Sequence, residues 1–91
     1  MKYQNEVYKI VSKIPKGKVM TYGQIAKKLK ISPRLVGSIL HANKDPKNIP
    51  CHRVVFADGS LSKSYAFGGI AKQKEKLMKE EVKFIKGKVV L

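Results

Sequence analysis

Residues 21–42 read TYGQIAKKLKISPRLVGSILHA, and the arrangement of the whole chain turns on how this stretch is divided. Thr21 followed three residues later by Gln24 is a capping-box signature, so a helix opens after Thr21 and runs through Leu29 with Ile25, Ala26 and Leu29 on its inner face. Lys30-Ile31 leaves room only for a tight connection. Ser32 is a natural N-cap and Pro33 a natural first helical residue, which starts another helix through about Ala42, with Leu35, Val36, Ile39 and Leu40 as its apolar stripe. Two short helices joined by a turn of a few residues make a helix-turn-helix pattern.

Working outward towards the N-terminus, Val7, Tyr8, Ile10, Val11 and Ile14 recur at helical spacing and predict an amphipathic helix that ends before Pro15. Lys16-Gly17-Lys18 turns the chain into the short apolar pair Val19-Met20. On the other side, Lys44 to Ile49 is rich in Asp, Pro and Asn and predicts an irregular loop that delivers Pro50-Cys51-His52-Arg53. Val54-Val55-Phe56 and Leu61 flank Ala57-Asp58-Gly59-Ser60, a hairpin signal that would form the wing of a winged helix. A polar, then Gly-rich loop over Ser62 to Gly69 leads to a lysine-rich helix from about Ala71 to Glu81, and Val82 to Leu91 reads as two short β segments about Lys86-Gly87. The expected fold is mainly α with a small β wing, a winged helix-turn-helix built as one domain over residues 1–91 with no repeat or linker.

The 91 residues carry 20 Lys plus Arg against 6 Asp plus Glu, a formal net charge of +14, which is the balance of an anion binder with nucleic acid as its leading partner. Only Arg34 and Arg53 are arginines, so lysines supply nearly all the positive charge and suit contact with phosphates irrespective of sequence. Cys51 is the single cysteine and there are two histidines, which excludes an internal disulfide and leaves a zinc site short of ligands; no metal is expected. A reducing cytoplasm fits a lone thiol. The polar start MKYQNEVYKI and the lack of any long apolar run speak against a signal peptide and against a membrane partner.

Pro50-Cys51-His52-Arg53-Val54 is where chemistry is expected, because an imidazole beside a thiol can take its proton and the thiolate is the reactive form. A Cys-His dipeptide alone is more often the mark of a buried structural cysteine beside a surface histidine. The surrounding residues are more telling. The run NKDPKNIPCHRVV, preceded by SPRLVGSIL and TYGQIA, resembles the C-terminal DNA-binding and active-site domain of the alkylguanine-DNA alkyltransferases, the methylated-DNA-protein-cysteine methyltransferase family, from the first helix to Glu81. The resemblance implies repair of guanine alkylated on its exocyclic oxygen, by irreversible transfer of the alkyl group to a cysteine, with no cofactor and one turnover per molecule.

Residue by residue, it implies that Cys51 is the alkyl acceptor and His52 the general base, relaying the thiol proton through a water. The family closes this relay with a Glu in a pattern Lys-x-x-Leu-Leu-x-x-Glu; KEKLMKEE puts Glu81 there, whereas an ungapped count from Cys51 points to Glu80, and both stay open. Asn43, eight residues before Cys51, matches the Asn that braces the active-site turn, and Tyr22 the tyrosine that donates to the departing guanine. Arg34 matches the arginine that fills the duplex stack when the target base is flipped out, a step that geometry requires because a thiolate cannot reach inside a duplex. Gly37, Ser38 and Ser32 belong to the helix that would enter the minor groove. Pro50, Val54, Tyr65, Ala66 and Phe67 are expected at the substrate pocket, with Ser64 beside Tyr65, and Arg53 in a structural role. A depressed Cys51 pKa is expected from its neighbours.

The chain also departs from the family. It has none of the N-terminal α/β domain of full-length repair alkyltransferases, its connection between the second and third helices is shorter, and it reads SKS before Tyr65 where a glycine is common. Its build is similar to that of the alkyltransferase-like proteins, which flag alkylated guanine for other repair machinery, yet those usually carry Trp, Ala or another residue where this chain has Cys51. A monomeric, single-use alkyltransferase acting on duplex DNA is therefore the first expectation. A non-enzymatic lesion sensor that recruits other repair proteins is the second, and a winged-helix DNA binder without lesion preference the third.

Overall fold

The central helix pair forms where its caps are written. In the computed structural model, which describes residues 2–63 and 65–91, Thr21 Oγ1 accepts from the Gln24 amide at 3.0 Å while Gln24 Oε1 accepts from the Thr21 amide at 2.9 Å, closing both halves of the capping box. Helix α2 (Tyr22–Leu29) follows, and helix α3 (Pro33–His41) opens with Pro33 in its first turn and the Leu35 amide donating to Ser32 Oγ at 3.1 Å. Between them Lys30 takes the left-handed conformation, φ 57°, and the Ile31 amide donates back to Ala26 O at 3.0 Å. The reversal thus needs a conformation that an L side chain disfavours.

Helix α1 (Gln4–Ser12) lays Val7 and Val11 of one face, with Ile14 just beyond it, against Ile25 and Ala26 of α2 and Val36, Ile39 and Leu40 of α3. The Tyr8 hydroxyl donates to Ile39 O at 3.1 Å and joins α1 to α3. Strand β1 (Met20–Thr21) pairs in parallel with β2 (Val54–Val55), Met20 opposite Val54. Neighbouring residues on a strand face opposite sides. Val54 accordingly joins the three-helix core, while Val55 joins a second cluster with Leu61, Val89 and Leu77 of helix α4 (Gly69–Lys79).

The hairpin expected around Asp58-Gly59 is only half formed. Its turn closes, with the Phe56 amide donating to Ser60 O at 3.0 Å, but Leu61 makes no ladder with β2. The return segment is diverted because Leu61 is buried in the second cluster and the amide of Ser62 donates to Gln73 of α4 at 2.9 Å. The antiparallel hairpin lies instead at β3 (Phe84–Ile85) and β4 (Lys88–Val89), about the expected Lys86-Gly87. It docks on the Asp58 turn, where the Val89 amide donates to Gly59 O at 2.8 Å and Lys88 pairs with Asp58 at 3.2 Å. Gly59 has φ +86°, and a Cβ there would sit 2.3 Å from Val89 O, so only glycine fits. Helix α4 starts and stops two residues earlier than expected, since Glu80 leaves the helix and Glu81 turns into the left-handed region, φ 65°. The fold is four helices with a small β component, a helix-turn-helix with its wing.

Lys30→Gly removes the strain at the helix-turn-helix reversal and is expected to raise the unfolding free energy by about 0.5–1 kcal/mol, measured by urea denaturation.

Candidate active site

Arg34, Gly37, Ser38 and His41 fall at positions i, i+3, i+4 and i+7 of α3 and form one stripe along the helix. The stripe borders a cavity of about 650 Å³ that is lined further in by Cys51, Tyr22 and Tyr65. Residues expected at opposite ends of the sequence thus meet at one opening.

Cys51 stands in a short 3₁₀ turn (Cys51–Arg53), 4% exposed, with its amide donating to Ile49 O at 2.7 Å. Asn43, at the end of α3, is 3% exposed and spends its amide on this turn. Its Nδ2 donates to Ile49 O at 2.9 Å and lies 3.5 Å from Cys51 Sγ, while its Oδ1 accepts from the Asp45 amide at 2.9 Å. Burial pushes the Cys51 thiol above its ordinary value, with Asn43 and then Lys76 pulling the other way. The expectation of a depressed thiol is therefore corrected, because desolvation of the thiolate outweighs the groups that favour it.

His52 is 6% exposed and its Nε2 lies 3.1 Å from Glu80 Oε2, without the alignment of a hydrogen bond. Its Nδ1 has no hydrogen-bond partner among the described residues. Burial lowers the His52 pKa against the opposing pull of Glu80, so the imidazole is neutral at pH 7 and able to accept a proton. Glu80 is held by Arg53, whose Nε and Nη2 donate to Oε1 and Oε2 at 2.9 and 2.6 Å, and whose Nη1 donates to Ile14 O at 2.7 Å. Burial opposes the Glu80 charge, but these hydrogen bonds keep its carboxyl below the usual range. Of the two glutamates left open by the sequence, Glu80 is the one at His52. Glu81 is exposed beyond the helix end, because Glu80 continues the α4 face of Gln73, Lys76 and Leu77 and Glu81 does not.

Tyr22 packs on Phe56, ring centroids 5.1 Å apart, and hydrogen-bonds Ser62. Burial raises its pKa, so it stays a phenol at neutral pH. Tyr65 is 8% exposed, its hydroxyl has no partner among the described residues, and burial beside Cys51 raises its pKa also. Ala66 joins it on the wall. Three expected wall residues are not on the cavity: Pro50 and Val54 are packed into the interior, Val54 in the three-helix core, and Phe67 stands edge-to-face on Tyr65 at 5.8 Å. Ser32 is exposed at the head of α3 with its hydroxyl engaged in the cap. Ser64 lies outside the described residues.

Sequence reasoning missed His41, Phe56, Ser62 and Gln73. The i+7 step from Arg34 was a usable signal for His41. Phe56, 45% exposed beside the Asp58 turn, was visible only as an apolar residue in an expected strand. Gln73 is fully buried, donating Nε2 to His52 O and Val54 O at 3.1 and 3.0 Å and accepting from the Ser62 amide. It ties the active-site turn, β2 and the loop after Leu61 to α4. Among the described residues no three His, Cys, Asp or Glu side chains gather as metal ligands do, and no helix is long and apolar enough to cross a membrane.

The family described as 6-O-methylguanine DNA methyltransferase, DNA binding domain, matches residues 2–82. A methylated-DNA–protein-cysteine methyltransferase of Methanocaldococcus jannaschii is 46% identical over 83 residues, covering 91% of this chain and 48% of that relative. The chain thus spans about half the length of curated relatives such as this one and its Methanocaldococcus vulcanius counterpart. Among solved structures, S. pombe Atl1 in complex with damaged DNA containing O6-carboxymethylguanine is similar at a TM-score of 0.82 and 33% identity, covering 98% of this chain and 87% of that one. Mycobacterium tuberculosis OGT in complex with DNA gives 0.79 and 31%, covering 89% and 49%.

Gln73→Leu keeps the volume of the buried side chain but strands three backbone groups. It is expected to cost at least about 2 kcal/mol in urea unfolding.

Proposed function

Since the chain belongs to the 6-O-methylguanine DNA methyltransferase family, through the DNA-binding domain that matches residues 2–82, we propose that it repairs alkylated guanine in duplex DNA by moving the alkyl group to Cys51. The observation that carries this reading is a buried Cys51 facing a cavity of about 650 Å³, with Asn43 at 3.5 Å and the neighbouring His52 backed by Glu80. In it, residues 1–91 work as one DNA-binding and reacting unit, a monomer in a reducing cytoplasm, without cofactor.

The α3 stripe approaches the minor groove, where Gly37 and Ser38 present little bulk, and the Arg34 guanidinium takes the space of the extruded base. The flipped guanine enters between Tyr22 and Tyr65. Cys51 loses its proton to His52 through a water, and the imidazolium that forms is stabilised by Glu80. Sγ then attacks the alkyl carbon as the bond from that carbon to guanine O6 breaks, and the electron pair leaves with the guanine. One proton leaves the thiol and one is gained by guanine, with the Tyr22 hydroxyl donating to the departing base. The resulting thioether is stable, so each molecule reacts once. A thiol that burial keeps protonated is unreactive until the base acts on it, which spares Cys51 from casual alkylation. Lysine contact with phosphate makes binding steeply salt-dependent and nearly indifferent to sequence.

A second reading, a lesion sensor that hands alkylated guanine to other repair proteins, is favoured by one observation. The chain spans 87% of S. pombe Atl1 but only about half of the methyltransferases. Intact mass after incubation with a duplex carrying one methylated guanine separates the two. Under the first reading one methyl group is added to Cys51 and none to Cys51→Ala; preferential binding without a mass change would establish the sensor.

Gly37 tests the groove contact. A Cβ there would meet only Tyr22 Cε1, at an ordinary 3.9 Å, so folding does not demand the glycine. Gly37→Ala is expected to stabilise the free protein by up to about 1 kcal/mol while weakening duplex binding, read by calorimetry and a salt-matched titration.

A further inference from the structure

Lys76 is the residue of the site face of α4 that the reaction above leaves unused. Gln73, Lys76, Leu77 and Glu80 follow at i, i+3, i+4 and i+7, so Lys76 lies between the glutamine that binds His52 O and the glutamate that touches His52 Nε2. The other lysines of this helix are occupied elsewhere: Lys72 and Lys79 pair with Glu75, and Lys74 lies over Phe84. The Lys76 ammonium is 5.5 Å from the Tyr65 ring centroid and 5.6 Å from that of Phe67, within cation–π reach of both. Those two rings are themselves packed edge-to-face. A long side chain is thus seated against the pocket loop, half-buried, and no carboxylate pairs with it among the described residues.

The charged and titratable groups around Cys51 leave this ammonium uncompensated. Tyr22 of α2 and Tyr65 of the loop stay neutral, and burial keeps His52 neutral. Arg53 and Glu80 cancel in a bidentate pair. Arg34 and His41 of α3 are exposed on the cavity rim, where solvent screens them. Lys76 bears on Cys51 and on His52 alike, favouring a thiolate in one and an unprotonated ring in the other.

We propose that Lys76 is a positioning residue for alkyl transfer, held by the Tyr65 and Phe67 rings so that its positive charge stabilises the Cys51 thiolate and keeps His52 free to take the proton. This rests on the reading of Cys51 as the nucleophile, and the two can fail separately.

The test is the rate of Cys51 alkylation by iodoacetamide as a function of pH, without DNA, in the wild type, Lys76→Met and Lys76→Arg, beside methyl transfer from a methylated duplex at pH 7. The wild-type midpoint is expected above the usual cysteine value of about 8.5. The methionine variant should move it up by a further half pH unit or so and slow transfer about threefold, with arginine restoring both. Lys76→Gln, which keeps a polar tip, gives the same comparison should the methionine chain unfold. Coincident pH profiles for wild type and the uncharged variants would overturn the proposal, whatever the transfer assay shows. Separated profiles in a protein that transfers no methyl group would uphold the role of Lys76 at the thiol and overturn the repair reading alone.

Discussion

The geometry of the site depends on the forked pair between Arg53 and Glu80. One guanidinium joins three parts of the chain: its own 3₁₀ turn, the end of α4 through Glu80, and the end of α1 through Ile14 O. Planar two-point recognition is what arginine offers and lysine does not, which accounts for one of only two arginines in a chain otherwise basic through lysine. Glu80 is thereby fixed at the edge of His52 with its charge already balanced. A carboxylate so neutralised can steady an imidazolium without first holding the ring charged, and His52 stays a free base at rest.

Around that pair the site is assembled from opposite directions. Asn43 fixes the Cys51 turn from the end of α3, and Gln73 fixes it from α4, both nearly or fully buried amides whose hydrogen bonds go to backbone, save the one from Asn43 Nδ2 to Cys51 Sγ. Neither touches the cavity centre; each removes freedom from the segment that does. This is how a thiol on an irregular turn acquires the rigidity of the helices beside it.

Legibility in the sequence followed the range of the interaction. The caps at Thr21, Gln24, Ser32 and Pro33 are contacts within a few residues, and α2 and α3 lie where those residues put them. Cys51, His52 and Asn43 were reachable because their motif is compact. The hairpin about Asp58 was misread because its turn is local but the fate of Leu61 and Ser62 is decided by α4, ten or more residues on. Glu80 against Glu81 depended on the phase of a helix whose end is set by packing. Gln73 is invisible in sequence, since a glutamine among lysines looks like solvent-facing surface. The thiol was misjudged for the same reason: its neighbours are readable, its burial is not.

Val54 and Val55 divide the molecule, one facing the helical core with Cys51 and the other the cluster under the hairpin. The three-residue turn Cys51–Arg53 that leads into Val54 is therefore a ruler. One residue gained or lost there would exchange the two valines between their cores and rotate the thiol out of the cavity.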